Sequence, residues 1–131
     1  MKLNFQYAHH SHSESEDRNI KTSSDALSAF DEFDWSGEVK KASELEKCSP
    51  TLSVIIKSDE EYVWVSGYSD NDNPIFVSEC FFPGEVSAWF GFSKKQGTVN
   101  LSADAFSLKQ ARKAIEYFIS KDHSSLRELY A

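Results

Sequence analysis

The sequence predicts a single α+β domain over residues 1–131, built on a predominantly antiparallel sheet of five or more strands with helices packed on one face. Three observations carry the prediction. Between Thr51 and Ser102 apolar residues alternate with polar ones at a period of two. The alternating runs are separated by polar turns too short for the crossover that parallel strands require. On either side the apolar spacing returns to three and four, the helical period. A chain of 131 residues also hides roughly 65% of its unfolded surface, enough for an apolar core without staples.

Residues 2–8, KLNFQYA, read as a short edge strand, and the HHSHSESEDR that follows as a polar loop, with 9–17 a mobile segment. Thr22 and Asp25 have capping-box spacing, and Leu27, Phe30 and Phe33, with Ala26 and Ala29, give the helix they open an apolar stripe. Trp35-Ser36-Gly37 interrupts it. A second helix is expected over Glu38–Lys47, with Val39, Ala42 and Leu45 inward and Ser49-Pro50 as its stop.

Five successive strands follow: TLSVIIK (51–57), EYVWVSGY (61–68), PIFVSECFF (74–82), EVSAWFGF (85–92) and TVNLS (98–102). Their turns fall at 58–61, 69–74, Pro83-Gly84 and 93–97, a meander of hairpins. Ser107 and Gln110 form a second capping box. The helix it opens runs to about Lys121-Asp122, with Leu108, Ala111, Ala114 or Ile115, and Phe118 or Ile119 on its apolar side. Leu126, Leu129 and Tyr130 then dock as a tail or an extra turn.

Alternation also divides the sheet into two faces. Val54, Ile56, Val63, Val65, Ala88, Phe90, Val99 and Leu101 share the side covered by helices. Tyr62, Trp64, Ser66, Ser87, Trp89, Thr98 and Asn100 fall on the other, a mixed aromatic and polar surface suited to binding or to further packing.

Charge narrows the function classes. The net charge is -7, and residues 1–92 hold 17 Asp or Glu against seven Lys or Arg, whereas residues 93–131 hold four against seven. An acidic body disfavours direct nucleic-acid binding, which needs cations to displace counterions, and suits a basic partner. Two cysteines, Cys48 and Cys80, allow one disulfide but read as reduced, buried thiols. The N-terminal residues lack the apolar core of a signal peptide, and no apolar run is long enough to span a membrane, so a cytoplasmic protein is expected.

The catalytic inventory is thin. His9, His10 and His12, with Glu14, Glu16 and Asp17 nearby, could collect a metal ion, but a flexible segment does not hold four ligands in a tetrahedron; no metal and no cofactor are expected. Cys80 and His123 lack a third group to make a nucleophile pair. Asp59, Glu60 and Glu61 are adjacent carboxylates on one turn, not a pair held across a substrate. No HExxH, GxxxxGK or GxGxxG motif occurs. The chain therefore reads as a binding protein rather than an enzyme. Its candidate partner-binding residues are Asp59, Glu60, Glu61, Asp70 and Asp72 as a steering acidic rim, with Trp64, Tyr68 and Trp89 as anchors.

The order of these motifs resembles the Imm1-like bacterial immunity proteins. The likeness runs from the Ser23–Phe33 helix through PIFVSECFF and VSAWFGF to FSLKQARKAIEYFISKDHSSLREL, where Phe106, Ser107, Ala111 and Phe118 match the start and packing face of the terminal helix. The resemblance implies a protein that neutralises a polymorphic toxin by binding it, in contact-dependent growth inhibition or another form of bacterial competition. The toxins of such systems include nucleases and deaminases that attack nucleic acid. It transfers no catalytic motif. The alternative is a regulatory or scaffold domain that binds some other protein.

Overall fold

The computed structural model describes residues 1–131 apart from 12, 46–47, 59, 71–72 and 88–93, and describes no side chains at 69–70, 73, 85–87 and 94–96. In chain order its elements are β1 (Lys2–Gln6), β2 (Glu16–Asn19), α1 (Ser23–Glu32), α2 (Trp35–Leu45), β3 (Thr51–Lys57), β4 (Glu61–Asp70), β5 (Asn73–Ser87), β6 (Lys94–Phe106), α3 (Leu108–Ile119) and α4 (His123–Tyr130). The strands form one six-stranded sheet in the order β2-β1-β3-β4-β5-β6. Every neighbouring pair is antiparallel.

The helices start where the side chains satisfy the free backbone amides. Thr22 caps α1 and Asp25 reaches back to the Thr22 amide; Ser107 and Gln110 do the same for α3. Asp34 takes the Gly37 amide at 3.2 Å, so α2 begins at Trp35 rather than Glu38. The end of α3 is equally explicit. Lys121 adopts a left-handed φ of 58°, its amide donates to the Phe118 carbonyl, and the Asp122 amide donates to the Tyr117 carbonyl. These are the two bonds of a Schellman ending, which turns the chain into α4, whose N-cap is Asp122.

In the strands inside the β2 edge, one parity is buried beneath the helices. Leu3 and Phe5 of β1, Leu52 and Val54 of β3, Val63 and Val65 of β4, and Phe76, Cys80 and Phe82 of β5 join Ala26, Ala29, Phe30, Ala111, Ala114, Ile115, Phe118 and Leu126 in one core. The alternation fixes this because cross-strand partners such as Val54 and Val63, or Val63 and Cys80, point to the same side. Ser78 is the polar member of the buried face. Its hydroxyl donates to the Trp64 carbonyl at 2.8 Å and lies 2.7 Å from the Tyr130 hydroxyl, pinning α4 to β5. On the surface, Arg112 of α3 holds Asp31 of α1 through two N–H···O bonds of 2.8 and 3.0 Å.

Several expectations need correction. Pro83-Gly84 is not a turn: β5 runs through it, pairing Pro83 with Thr98 and Gly84 with Gly97. Beyond the Tyr62–Phe81 pair β5 has passed the end of β4, so Pro83 sits where a missing ladder amide is tolerated. Lys94–Gly97, read as a turn, belong to β6. β1 is an interior strand, because Glu16–Asn19 of the supposed loop form the true edge, β2. Leu45 and Leu108 are exposed rather than inward. His10, expected in solvent, is buried, and its Nδ1 accepts the Tyr7 amide at 3.0 Å. Ala88, Phe90 and most of the 85–92 strand lie outside the described residues.

Candidate functional site: the open face of the sheet

The side of the sheet away from the helices carries the opposite parity of the same strands. Ile55, Tyr62 and Phe81 stand in one cross-strand row, and Ser53, Trp64 and Glu79 in the next. Tyr62 stacks on Phe81 with centroids 4.6 Å apart. All six are half-buried. Ser53, Ile55, Ser58, Tyr62 and Trp64 line a shallow depression of about 240 Å³. Toward β2 the face becomes polar: Asn4 donates to Asp17 at 2.8 Å and to Ser15 at 2.9 Å, and Lys2 lies 3.8 Å from Asp17. Toward the far edge Thr98, Asn100 and Ser102 are exposed.

An aromatic centre with a polar margin is the layout of a protein-recognition surface, in which rigid rings bury area and the rim remains wet. Tyr62 is held at low entropic cost because the strand backbone and the stacked Phe81 ring already fix it. Single apolar side chains on a surface mean little. Here four large ones are contiguous.

The residues named from the sequence separate into groups. Trp64 lies at the middle of the open face. Tyr68, on the same face, is 37% exposed and donates its hydroxyl to the Asp104 carbonyl at 2.8 Å. Glu60 is exposed but already paired, 2.7 Å from Lys57 Nζ, and that bond holds the Lys57 ammonium above its ordinary range. Glu61 does not join the rim. Its parity is that of Val63, its side chain is only 12% exposed, and its nearest cation is Lys121 at 3.9 Å, on the helix side. Asp70 pairs through its backbone with Asn73, its side chain undescribed. Asp59, Asp72 and Trp89 lie outside the described residues.

Phe81, Ile55 and Glu79 were missed as site members. The signal for them was present: in PIFVSECFF the residues two apart from Phe81 fall opposite the Cys80 parity, and β4–β5 pairing then sets Phe81 beside Tyr62 and Glu79 beside Trp64.

Comparison with protein-family models, curated proteins and solved structures finds no significant match. The function must be argued from the site itself.

Elsewhere the reactive groups are in structural use. Cys48 and Cys80 are buried and not joined in a disulfide. Burial, and secondarily the Glu61 charge, pushes the Cys80 thiol up to about 12, leaving essentially no thiolate nucleophile at neutral pH. His123 stacks on Phe82 at 4.0 Å. His9 stacks on Tyr7 at 5.8 Å, and His12 lies outside the described residues. Among the described residues no three His, Cys, Asp or Glu side chains are grouped to hold a metal ion. Among them, too, no helix is long and apolar enough to cross a membrane.

Proposed function

We propose that this chain is a cytoplasmic immunity protein of the Imm1-like kind, which binds a cognate bacterial toxin and blocks it stoichiometrically, without catalysis or cofactor. The observation that carries the reading is the sheet face opposite the helices, where Trp64, Tyr62, Phe81 and Ile55 form a contiguous half-buried cluster. The net charge of -7 supports a basic partner, and a nuclease or deaminase that grips nucleic acid presents such a surface. The acidic body steers the encounter, the aromatic cluster excludes water, and occupation of the toxin's active or substrate-binding groove stops its substrate from entering. Partner choice rests on shape and on the cost of burying mismatched charge.

The test is co-expression with the toxin encoded beside this gene, followed by size-exclusion chromatography of the purified pair. Protection of the cells with a fixed-stoichiometry complex supports the reading. Failure to bind and protect refutes it. Binding of a non-toxin partner by the same face favours the regulatory or scaffold alternative.

A further inference from the structure

A second surface has a different chemistry. On the helix side of the sheet, at the β2 edge, Phe5, Tyr7 and Phe33 stack three nearly parallel rings, Phe5 and Phe33 buried and Tyr7 half-buried. Phe33 lies 6.2 Å from Phe5 at 4° and 5.3 Å from Tyr7 at 5°, and Phe5 lies 6.0 Å from Tyr7 at 8°. With Glu32, Asp34 and Glu38 they line a pocket of about 220 Å³. An adjoining trough of about 370 Å³ shares Arg18, Ala29 and Glu32 with it and continues between β2 and α1 past Asp25 and Ser28.

The carboxylates are differently engaged. Glu38 is 9% exposed and its Oε2 accepts the Ala8 amide at 3.0 Å, which fixes its orientation; among the described residues Oε1 has only the distant Lys41 at 3.9 Å. Asp34 is occupied as the α2 cap. Glu32 has no hydrogen-bond or ion-pair partner among the described residues. Against these three carboxylates the pocket lining holds one cation, Arg18. Its guanidinium lies 4.8 Å from the centroid of the Phe5 ring.

We propose that this groove takes an arginine side chain presented by a protein partner, the pocket holding the guanidinium and the trough the backbone that carries it. Flat rings beside fixed carboxylates suit a planar, delocalised cation better than a compact ammonium, since guanidinium stacks and donates in its plane at once. Arg18 already places a guanidinium on one of these rings. A pocket of about 220 Å³ takes one side chain, and the adjoining trough gives a peptide chain a path in and out. This groove is on the opposite side of the sheet from Trp64, so the inference stands or falls independently of the sheet-face interface.

The test is an NMR titration of the labelled full chain with acetyl-Ala-Arg-Ala-amide, with the citrulline and lysine versions as isosteric and charge controls. The arginine peptide should shift Phe33, Tyr7 and Trp35 resonances saturably, and the lysine and citrulline peptides should bind at least about threefold more weakly. Glu32→Gln should weaken arginine binding, and Arg18→Gln, which removes the resident cation, should strengthen it, with dispersed spectra confirming that both variants fold. Equal shifts from citrulline or lysine, no saturation, or weaker binding by Arg18→Gln would overturn the proposal.

Discussion

Gly67 lies where α2 packs closely on the sheet, and adding one methyl group there tests how that layer is packed. Gly67 faces the helices, pairs with Phe76, and donates its amide to the Pro50 carbonyl at 2.9 Å. A Cβ at this position would stand 3.0 Å from Val39 Cγ2, 3.4 Å from Trp35 Cε3 and 3.6 Å from Phe76 Cε1. The first distance is tighter than ordinary contact, so Val39 must give by a few tenths of an ångström, and little around it can yield. Val39 is β-branched and stiff. Trp35 is tied by its indole N–H to the Phe30 carbonyl at 3.1 Å and packs edge-on to Phe76 at 4.9 Å. Replacing glycine by alanine in a strand gains about 0.5–1 kcal/mol of backbone entropy, whereas overpacking costs about 1–3 kcal/mol, so Gly67→Ala should lose about 1–2 kcal/mol. For a chain of this length that is a fall in Tm of about 4–7 °C. In a Val39→Ala background the obstructing methyl is gone, and the same substitution should be neutral or slightly stabilising. Urea denaturation of the four proteins, with unchanged m values, measures the coupling. Equal cost of Gly67→Ala in both backgrounds would refute the packing argument.

Three further outcomes are expected. Tyr130→Phe should cost about 1 kcal/mol by removing the bond to Ser78, whose hydroxyl keeps the Trp64 carbonyl. Burial raises the Tyr130 phenol, so the folded chain keeps a proton that the unfolded chain releases above about pH 10. That contribution is complete below about pH 10 and declines as the pH rises past it, so the advantage over Tyr130→Phe should shrink between pH 8 and pH 11 in urea melts; a constant or growing difference contradicts it. Neither Cys48 nor Cys80 should react with Ellman's reagent in the native protein at pH 8, and both should react in denaturant; rapid native labelling of either would show that its burial is not maintained. Converting Asp59, Asp70 and Asp72 to Asn should slow association with the toxin at low salt and matter less at high salt, while Glu60→Gln alone should change little because Lys57 already neutralises it. Association of the triple variant at the wild-type rate at low as well as at high salt would remove the steering role.

What the sequence revealed follows from which forces leave a local trace. Capping boxes do, because the interacting residues lie three apart, and both Thr22/Asp25 and Ser107/Gln110 form as read. The two-residue period of β3 and β4 does too, since one face is buried and the other is not. β2 left no trace: Glu16-Asp17-Arg18-Asn19 has no apolar alternation, and its strand character comes wholly from pairing with β1, its charges suiting an unpaired edge. Pro83-Gly84 carried a turn signal that tertiary context overrode. At the candidate site the parity of Trp64 was legible, but Glu61 was grouped with Glu60 by adjacency, although neighbouring strand residues point to opposite faces. The ring-lined groove was illegible, because it assembles β1, β2 and the ends of two helices.

With the open sheet face as the interface, Trp64→Ala should leave the cognate toxin faster than the wild type does. Trp64 is half-buried and outside the helix-covered core, so the variant should stay folded by circular dichroism. A tryptophan at the centre of an interface is worth about 2 kcal/mol or more, so surface-plasmon measurements should show dissociation faster by about thirtyfold, with association nearly unchanged. A folded Trp64→Ala protein that releases the toxin at the wild-type rate would place the interface elsewhere.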